Sequence, residues 1–200
     1  MKWWYPSLIW EIKTSSKDVY LTFDDGPDPE VTPWVLDQLK ANNAKATFFC
    51  VGENVDKHPD VYRRILAEGH AVGNHTYNHL NGWETPYDKY IINVKKCGHT
   101  FGSHLFRPPH GRMTRKQIRK LRPRYKIIMW SLLSGDFDKS ISATECAYNT
   151  VQYTEPGNII VFHDSQKSKE TLYGALPKIL NHFSNTQWEM KCIDIQQLGK

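Results

Sequence analysis

Short apolar runs alternate along the chain with longer segments in which apolar residues recur every three or four positions. The short runs predict buried strands, and the longer segments predict amphipathic helices. Strands are expected at residues 8–13, 19–23, 46–51, 71–74, 105–107, 126–131, 158–162 and 188–193. Helices are expected at residues 28–39, 59–68, 86–102, 114–121, 143–154 and 172–183, the first of them capped by Asp28.

This alternation of strands and helices predicts an α/β fold built on a parallel sheet. Apart from the short run at residues 8–13, seven strands are expected, which suggests a barrel one unit short of the common eight. An open doubly wound sheet is the alternative. Nothing in the 200 residues resembles a linker, so we expect a lead-in segment at residues 1–17 and a single domain at residues 18–200.

Composition is that of an ordinary globular protein, with 40% hydrophobic and 24% charged residues. The four cysteines are far apart and form no CxxC pair, which argues against a zinc–cysteine or thioredoxin-type site and favours buried free thiols. The first residues contain neither a signal peptide nor a membrane-spanning stretch. The chain as given is therefore expected to be cytoplasmic, or exported by a route that it does not reveal.

The net charge is +5, and basic residues are concentrated in one part of the chain. They are Arg112, Arg115, Lys116, Arg119, Lys120, Arg122, Arg124 and Lys126. A solvated helix face is the expected explanation, and an anionic partner such as a cell-wall polymer or nucleic acid is the alternative. We expect no nucleic-acid partner, and the sequence predicts no particular oligomeric state.

Two adjacent carboxylates stand where the clearest strand ends. The strand-forming residues 19–23 lead into Asp24 and Asp25, and Gly26 with Pro27 then breaks the strand into a turn. In α/β folds, ligands bind and catalytic groups gather at the carboxyl ends of the strands. The pair of aspartates is therefore the first candidate for a reaction centre.

His75 and His79 follow the strand expected at residues 71–74. Four residues apart, they are expected to project from one side of a helical turn and to bind one metal ion. Such a pair alone is more often ordinary surface or core histidine. With one of the two aspartates, however, it forms three ligands and an open position, as catalytic metal sites do. Zinc is favoured, iron, cobalt or nickel would also fit, and the remaining aspartate is a natural general base.

Three residues of the loop after the fourth strand are further candidates. Arg107 can hold the spare aspartate, while Pro109 stiffens the loop. A backbone N–H near His110 can face a developing oxyanion. Taken alone, this segment would be a turn with an incidental surface arginine.

The last candidate is a histidine at the carboxyl end of a buried strand. His163 is placed there to protonate a leaving amine, and Asp136 is a carboxylate able to raise its pKa. A structural histidine bonded to the backbone is the alternative.

Four motifs follow one another along the chain: Thr-Phe-Asp-Asp-Gly at residues 22–26, His-Thr-Tyr-Asn-His at 75–79, Arg-Pro-Pro-His-Gly at 107–111 and His-Asp at 163–164. Their order and content resemble those of the polysaccharide deacetylases, carbohydrate esterase family four. The resemblance spans about residues 19–193 and implies a distorted (β/α)7 barrel. It also implies metal-dependent removal of an N-acetyl or O-acetyl group from an acetylated glycan or amino sugar.

The resemblance also implies a role for each matching residue. Asp24 would be the catalytic base, and Arg107 would orient it. One divalent metal ion, with zinc favoured, would be bound by Asp25, His75 and His79. His163 would be the catalytic acid.

The sequence departs from the family pattern at two places. The family's fourth motif usually reads Asp-x-x-Asp-Trp, whereas residues 133–137 read Leu-Ser-Gly-Asp-Phe. Asp136 is retained, so tuning of His163 is still expected, but Leu133 replaces the first carboxylate and Phe137 replaces the aromatic wall. His110 stands where the family commonly has Tyr or Phe, which puts substrate preference in doubt.

Two other functions stay open at this point. The same barrel supports hydrolysis of a small amide or formamide, and a closed pocket rather than an open groove would favour it. A carbohydrate-binding protein without activity is suggested by the altered fourth motif, although the intact Asp24 and His163 argue against it. The sequence does not identify the glycan, the acetyl position or the native metal.

Overall fold

The computed structural model describes residue 5 and residues 7–198. Its strands are β1 (Asp18–Asp24), β2 (Ala46–Cys50), β3 (Ala71–Asn74), β4 (Leu105–Phe106), β5 (Lys126–Ile127), β6 (Leu132–Leu133), β7 (Ile159–His163) and β8 (Glu189–Met190). Its helices are α1 (Val31–Ala41), α2 (Gly52–Lys57), α3 (Pro59–Ala67), α4 (Tyr87–Phe101), α5 (Arg115–Leu121), α6 (Ala143–Gln152) and α7 (Lys169–Asn185).

The strands form one curled parallel sheet in the order β5-β4-β3-β2-β1-β7-β6, and β8 pairs with the start of β1. β1 lies in the middle, bonded to β2 on one side and β7 on the other, and all seven of its residues are buried. The sheet is open between β5 and β6. This is the distorted (β/α)7 barrel that the sequence predicts.

Period-two alternation on β1 separates the outer core from the inside of the barrel. Val19, Leu21 and Phe23 pack in the large core formed with α1 and α7. The ring of Phe23 stacks between the rings of Phe48 and Phe162, with centroids 5.1 and 5.5 Å away. Residues 20, 22 and 24 alternate onto the opposite face, so a threonine and an aspartate enter the barrel from a fully buried strand.

The hydrophobic pattern predicts several strands that are longer than those in the structure, and it does not predict the strand β6 or the helix α2. Of the strand expected at residues 126–131, only β5 forms, paired in parallel with β4. The N–H of Ile128 directly after it still donates to the Phe106 carbonyl at 2.8 Å. The chain then crosses the open side of the barrel, and the N–H of Ser131 donates to the Ile159 carbonyl at 3.1 Å. This crossing leads into β6, which is too short to give a periodic signal. The short helix α2 was also not predicted.

The lead-in segment is not a continuous strand. Residues 8–13 make only isolated bridges, from Ile9 to Ile128 and from Glu11 to Asn158. The strand expected at residues 188–193 is reduced to β8. Residues 1–4 and 6 of the segment lie outside the described part of the chain, and the domain boundary at residue 18 stays a prediction.

The prediction about the thiols is confirmed, whereas the predicted start of the first helix is early. α1 begins at Val31 with Glu30 as its N-cap residue, and Asp28 Oδ1 accepts 2.8 Å hydrogen bonds from the N–H groups of Glu30 and Val31 in the turn before it. All four cysteines are free, and Cys192 alone among them is not fully buried. Within residues 7–198, no helix is both long and apolar enough to cross a bilayer.

Candidate active site

Asp24 enters the barrel at the carboxyl end of β1, beside a fully buried arginine. Arg107 Nη1 donates 2.7 Å hydrogen bonds to Asp24 Oδ1 and to Thr22 Oγ1. Its Nε and Nη2 donate to the carbonyls of Ile128 and Met129 at 3.3 and 3.0 Å. Burial lowers the pKa of the guanidinium and the adjacent carboxylate opposes that effect, so Arg107 stays cationic at neutral pH. The cation fixes Asp24 in one orientation.

Asp25 is brought into the same cleft by a turn. It has a φ of +82°, which interrupts the alternation of the strand. Asp164 holds this turn, because its Oδ1 accepts from the Gly26 N–H at 3.1 Å and its Oδ2 accepts from Thr32 Oγ1 at 2.5 Å. A Cβ on residue 26 would lie 2.1 Å from Asp164 Oδ2, so only glycine fits here.

His75 and His79 lie in the loop after β3 and not on a helical turn, so that part of the prediction is wrong. Thr76 and His79 have φ values of +63° and +54°, and the two imidazole rings lie 5.1 Å apart. Asn74 supports the loop, since its Oδ1 accepts from the Thr76 N–H and its Nδ2 donates to the Val94 carbonyl, both at 2.8 Å. The backbone conformation of the loop, and not helical spacing, therefore brings His75 and His79 together.

Asp25, His75 and His79 present ligand atoms that all lie within 4.8 Å of one another. His75 Nδ1 donates to the Arg107 carbonyl at 2.8 Å, which leaves the Nε2 lone pair facing the cleft. Burial lowers the pKa of His75 to about 4, so its ring is neutral at pH 7.

The carboxylate of this cluster is also placed to bind a metal ion. Asp25 Oδ1 lies 3.0 Å from His79 Nε2 and 3.7 Å from His75 Nε2, yet this buried oxygen has no hydrogen-bond partner among the described residues. A buried carboxylate oxygen without a partner, facing two imidazole nitrogens, is a donor set suited to a divalent cation such as zinc. The three residues therefore fit one metal ion.

His163 ends β7 and is the register partner of Asp24 on β1. Its Nδ1 donates to Asp136 Oδ1 at 2.8 Å, and its backbone N–H donates to Oδ2 at 2.7 Å. Asp136 is 2% exposed and also accepts from Ser134 Oγ at 3.1 Å. Burial alone would lower the pKa of His163, but the hydrogen bond and charge of Asp136, with the charges of Asp24 and Asp25, raise it to about 9. His163 is thus a cation at neutral pH.

These groups share a cleft of about 510 Å³ at the carboxyl ends of the strands. Trp130, Leu133 and Phe137 supply apolar walls, and the edge of the Phe137 ring meets the His163 ring at a centroid distance of 5.2 Å. The side chains of Asp25 and His79 are 29% and 32% exposed, so the cleft is open to solvent.

Of the remaining candidates in the Arg107 loop, one lines the cleft and the other lies outside its lining. The ring of His110 lines the cleft, 4.7 Å from the ring of His79. Pro109 is buried in the 3₁₀ turn Pro109–Gly111 and does not line the cleft. Arg107 and Asp136 also lie behind the lining, each bonded to a residue that does face the cleft.

Several supporting residues were not recognised from the sequence. Thr22, Asn74 and Asp164 are all buried, and each bonds a group next to a candidate residue. A polar residue inside an apolar strand, as at Thr22, was the available signal, because buried polar groups need partners. The cleft residue Lys167 gave no such signal.

Comparison with known proteins agrees with the motifs. Residues 11–124 match the sequence model of the polysaccharide deacetylase family. A peptidoglycan-N-acetylglucosamine deacetylase of Bacillus cereus is 37% identical over 174 residues, which is 81% of this chain and 63% of the relative. A chitooligosaccharide deacetylase of Azorhizobium caulinodans is 34% identical over 76% of both chains. This chain thus spans a little less than two thirds of the Bacillus relative.

The fold agrees as well. The crystal structure of the Bc1960 peptidoglycan N-acetylglucosamine deacetylase is 31% identical to this chain, with a TM-score of 0.89. The similarity covers 96% of this chain and 94% of that one. Sequence and fold thus point to the same group of proteins, and the chain belongs to the polysaccharide deacetylase family.

Proposed function

We propose that this chain is a metal-dependent hydrolase that removes the N-acetyl group from an amino sugar of a glycan. The observation that carries the proposal is the register pair of Asp24 and His163, which flanks the cluster of Asp25, His75 and His79 in one cleft. The names of the relatives, which refer to peptidoglycan and to chitooligosaccharides, support an acetylated amino sugar as substrate.

Zinc is the favoured ion for Asp25, His75 and His79. A divalent ion held there would polarise the acetyl carbonyl and acidify a water molecule. His75 contributes Nε2 in the neutral form that ligation needs, because its pKa is lowered to about 4 and its Nδ1 proton is bound to the Arg107 carbonyl.

Asp24 acts as the general base. It accepts the proton of the water that attacks the acetyl carbon, and Arg107, which also donates to Thr22, holds it in place from behind.

His163 acts as the general acid at the other side of the cleft. With Nδ1 bonded to Asp136, the transferable proton is on Nε2, and it passes to the sugar nitrogen as the carbon–nitrogen bond breaks. The products are acetate and a free amine. The apolar walls of Trp130, Leu133 and Phe137 suit the face of a sugar ring.

The test is acetate release from N-acetylated oligosaccharides by protein reconstituted with zinc or cobalt. For Asp24→Asn we expect a loss of at least ~100-fold, as is typical for a positioned acid–base group. Metal content measured on the same samples must stay at the wild-type level. Near-normal turnover by the metal-loaded variant would remove Asp24 from the role of base.

A further inference from the structure

A largely exposed tryptophan packs against the segment that follows the turn Pro109–Gly111. Trp83 is 57% exposed, although its indole N–H donates to the Met113 carbonyl at 3.0 Å and so holds the side chain in place. The guanidinium carbon of Arg112 lies 5.2 Å from the ring centroid, and Arg112 Nη1 lies 3.6 Å from Glu84 Oε1. A large aromatic ring that is fixed yet open to solvent is suited to bind a partner.

Two segments of the chain connect Trp83 and Arg112 to residues of the cleft. Trp83 follows the candidate ligand His79 in the same loop. Arg112 directly follows the turn Pro109–Gly111, whose His110 lines the cleft. Burial lowers the pKa of His110, and the charges of Arg112 and Glu84 also act on it, so both lie near its ring. A long ligand that leaves the cleft past His110 would therefore meet Arg112 and then Trp83.

The helix that follows Arg112 presents a basic face. Gln117, Ile118 and Leu121 are the buried residues of α5. The outward residues are Arg115, Lys116, Arg119 and Lys120, all of them exposed. Within residues 7–198 none of these four forms an ion pair with an acidic side chain, and Lys116 Nζ instead lies 4.1 Å from the centroid of Tyr87. Uncompensated cations on one face attract anionic ligands.

We propose that Trp83, Arg112, Arg115, Lys116 and Arg119 form a binding surface for an acidic amino-sugar polymer whose acetylated residue occupies the cleft. We call these five residues the basic platform. The proposal rests on the proposed function, because the platform is an extension of the cleft.

The chemistry of such a polymer matches both features of the platform. The C–H face of a pyranose ring packs on an indole, and carboxylates along the polymer pair with guanidinium and ammonium groups. Peptidoglycan offers acetylated amino sugars and carboxylates together, whereas chitin offers the sugars without the charge. Continuity with a cleft built for sugar chemistry favours a glycan over nucleic acid as the occupant.

The experiment is co-sedimentation of the protein with insoluble peptidoglycan, with the same peptidoglycan after its carboxylates have been amidated, and with insoluble chitin. The triple variant R115Q/K116Q/R119Q should bind untreated peptidoglycan about tenfold more weakly than the wild type does, because three ion contacts are lost. Amidation should remove this difference, and added salt should reduce it. The matched control K17Q/K40Q/K178Q loses the same charge from exposed lysines elsewhere and should bind as the wild type does.

Trp83 is tested separately because its contact does not depend on charge. Trp83→Ala should weaken binding to peptidoglycan and to chitin alike, and Trp83→Phe should restore much of the binding. Equal binding by the two triple variants would overturn the proposal, as would equal binding of native and amidated peptidoglycan. Stronger competition by double-stranded DNA than by soluble peptidoglycan fragments would assign the face to nucleic acid and also overturn it.

Binding and catalysis are measured independently, so the two proposals fail in different ways. Sedimentation needs no turnover, while acetate release from a soluble chitooligosaccharide tests the chemistry of the cleft without a carboxylate-bearing polymer. A wild-type protein that binds peptidoglycan through the platform but releases no acetate from any acetylated glycan would contradict the proposed function alone. An active enzyme with unchanged binding in the platform triple variant would contradict only the platform.

Discussion

Replacing Asp136 by Asn removes the charge that keeps His163 protonated. The pKa of His163 is raised from 6.5 to about 9 against the opposing effect of burial. This difference corresponds to at most about 3 kcal/mol of stabilisation of the protonated ring. The hydrogen bond and charge of Asp136 are the largest contributions that raise it, ahead of Asp24 and Asp25. In Asp136→Asn, burial should therefore dominate, and the pKa should fall to 6.5 or below.

The consequence for catalysis follows from the protonated fraction of the acid. At pH 8 a histidine with a pKa of 9 is ~90% protonated, and one with a pKa of 6.5 is ~3% protonated. Relative to its own activity at pH 5.5, the variant should thus lose about 30-fold in kcat/KM by pH 8. A cation bound at Asp25 offsets part of that carboxylate's charge, so the alkaline limb of the wild-type holoenzyme should lie at or below pH ~9.

The assays are the pH dependence of kcat/KM for the metal-loaded enzyme and the pH dependence of unfolding for the apoprotein. Because the folded pKa of His163 lies above its unfolded value, its stabilising contribution is fully present below pH ~6.5 and is lost as the pH rises through about 9. Asp136→Asn should therefore be most destabilised, relative to wild type, at pH 5–6, with the difference shrinking towards pH ~9.

The matched control is Asp138→Asn, which changes a partly exposed carboxylate whose side-chain hydrogen bonds, within residues 7–198, come from Ser140. Its pKa is lowered by those hydrogen bonds, so the substitution should leave both profiles unchanged between pH 5 and pH ~9. An Asp136→Asn enzyme with the wild-type alkaline limb would refute the reasoning, since His163 would then be protonated for another reason or would not be the acid.

Three further substitutions test the parts that hold the site. Arg107→Gln should lower the free energy of unfolding by about 3–5 kcal/mol in urea titrations, because it leaves Asp24 as an unpaired buried charge; an unchanged midpoint would contradict this. His75→Ala should reduce zinc affinity by at least ~100-fold in competition with a chelator, and tight stoichiometric binding would remove it from the ligand set. Gly26→Ala should cost about 1–3 kcal/mol and weaken zinc binding, because its Cβ would meet Asp164 Oδ2; wild-type values for both would show that the turn is not constrained.

How far the sequence predicts this fold depends on the length of each element. β1, β2 and β7 are buried runs of five to seven residues, and the apolar pattern identifies all three. β6 has only two residues, one exposed and one half-buried, so periodicity carries no information about it. Its position is decided by tertiary contact, where the chain crosses from β4 to β7 along hydrogen bonds at Ile128 and Ser131.

The sequence identifies the candidate residues, because carboxylates and imidazoles directly after apolar strands are unusual. It does not predict how these side chains are arranged in space. Spacing suggested a helical turn for His75 and His79, whereas non-glycine residues with positive φ bring the two rings together. Such conformations cost energy locally and persist only where neighbours enforce them, as Asn74 does for Thr76. Those neighbours lie on other elements or in irregular segments, where residues do not recur at a helix or strand period. The hydrophobic pattern of the sequence therefore cannot identify them.

The contrast between Asp24 and Asp25 shows how one break in a pattern separates two chemical roles. Parallel strands in register place Asp24 and His163, the proposed base and acid, side by side inside the barrel. Regular alternation would send the next residue to the opposite face, away from that substrate. The turn at Asp25, held by Asp164, instead returns the second carboxylate to the cleft, with one oxygen that has no hydrogen-bond partner in the described part of the chain. The adjacent aspartates therefore differ because a buried guanidinium is bonded to Asp24 Oδ1, whereas two imidazoles face Asp25.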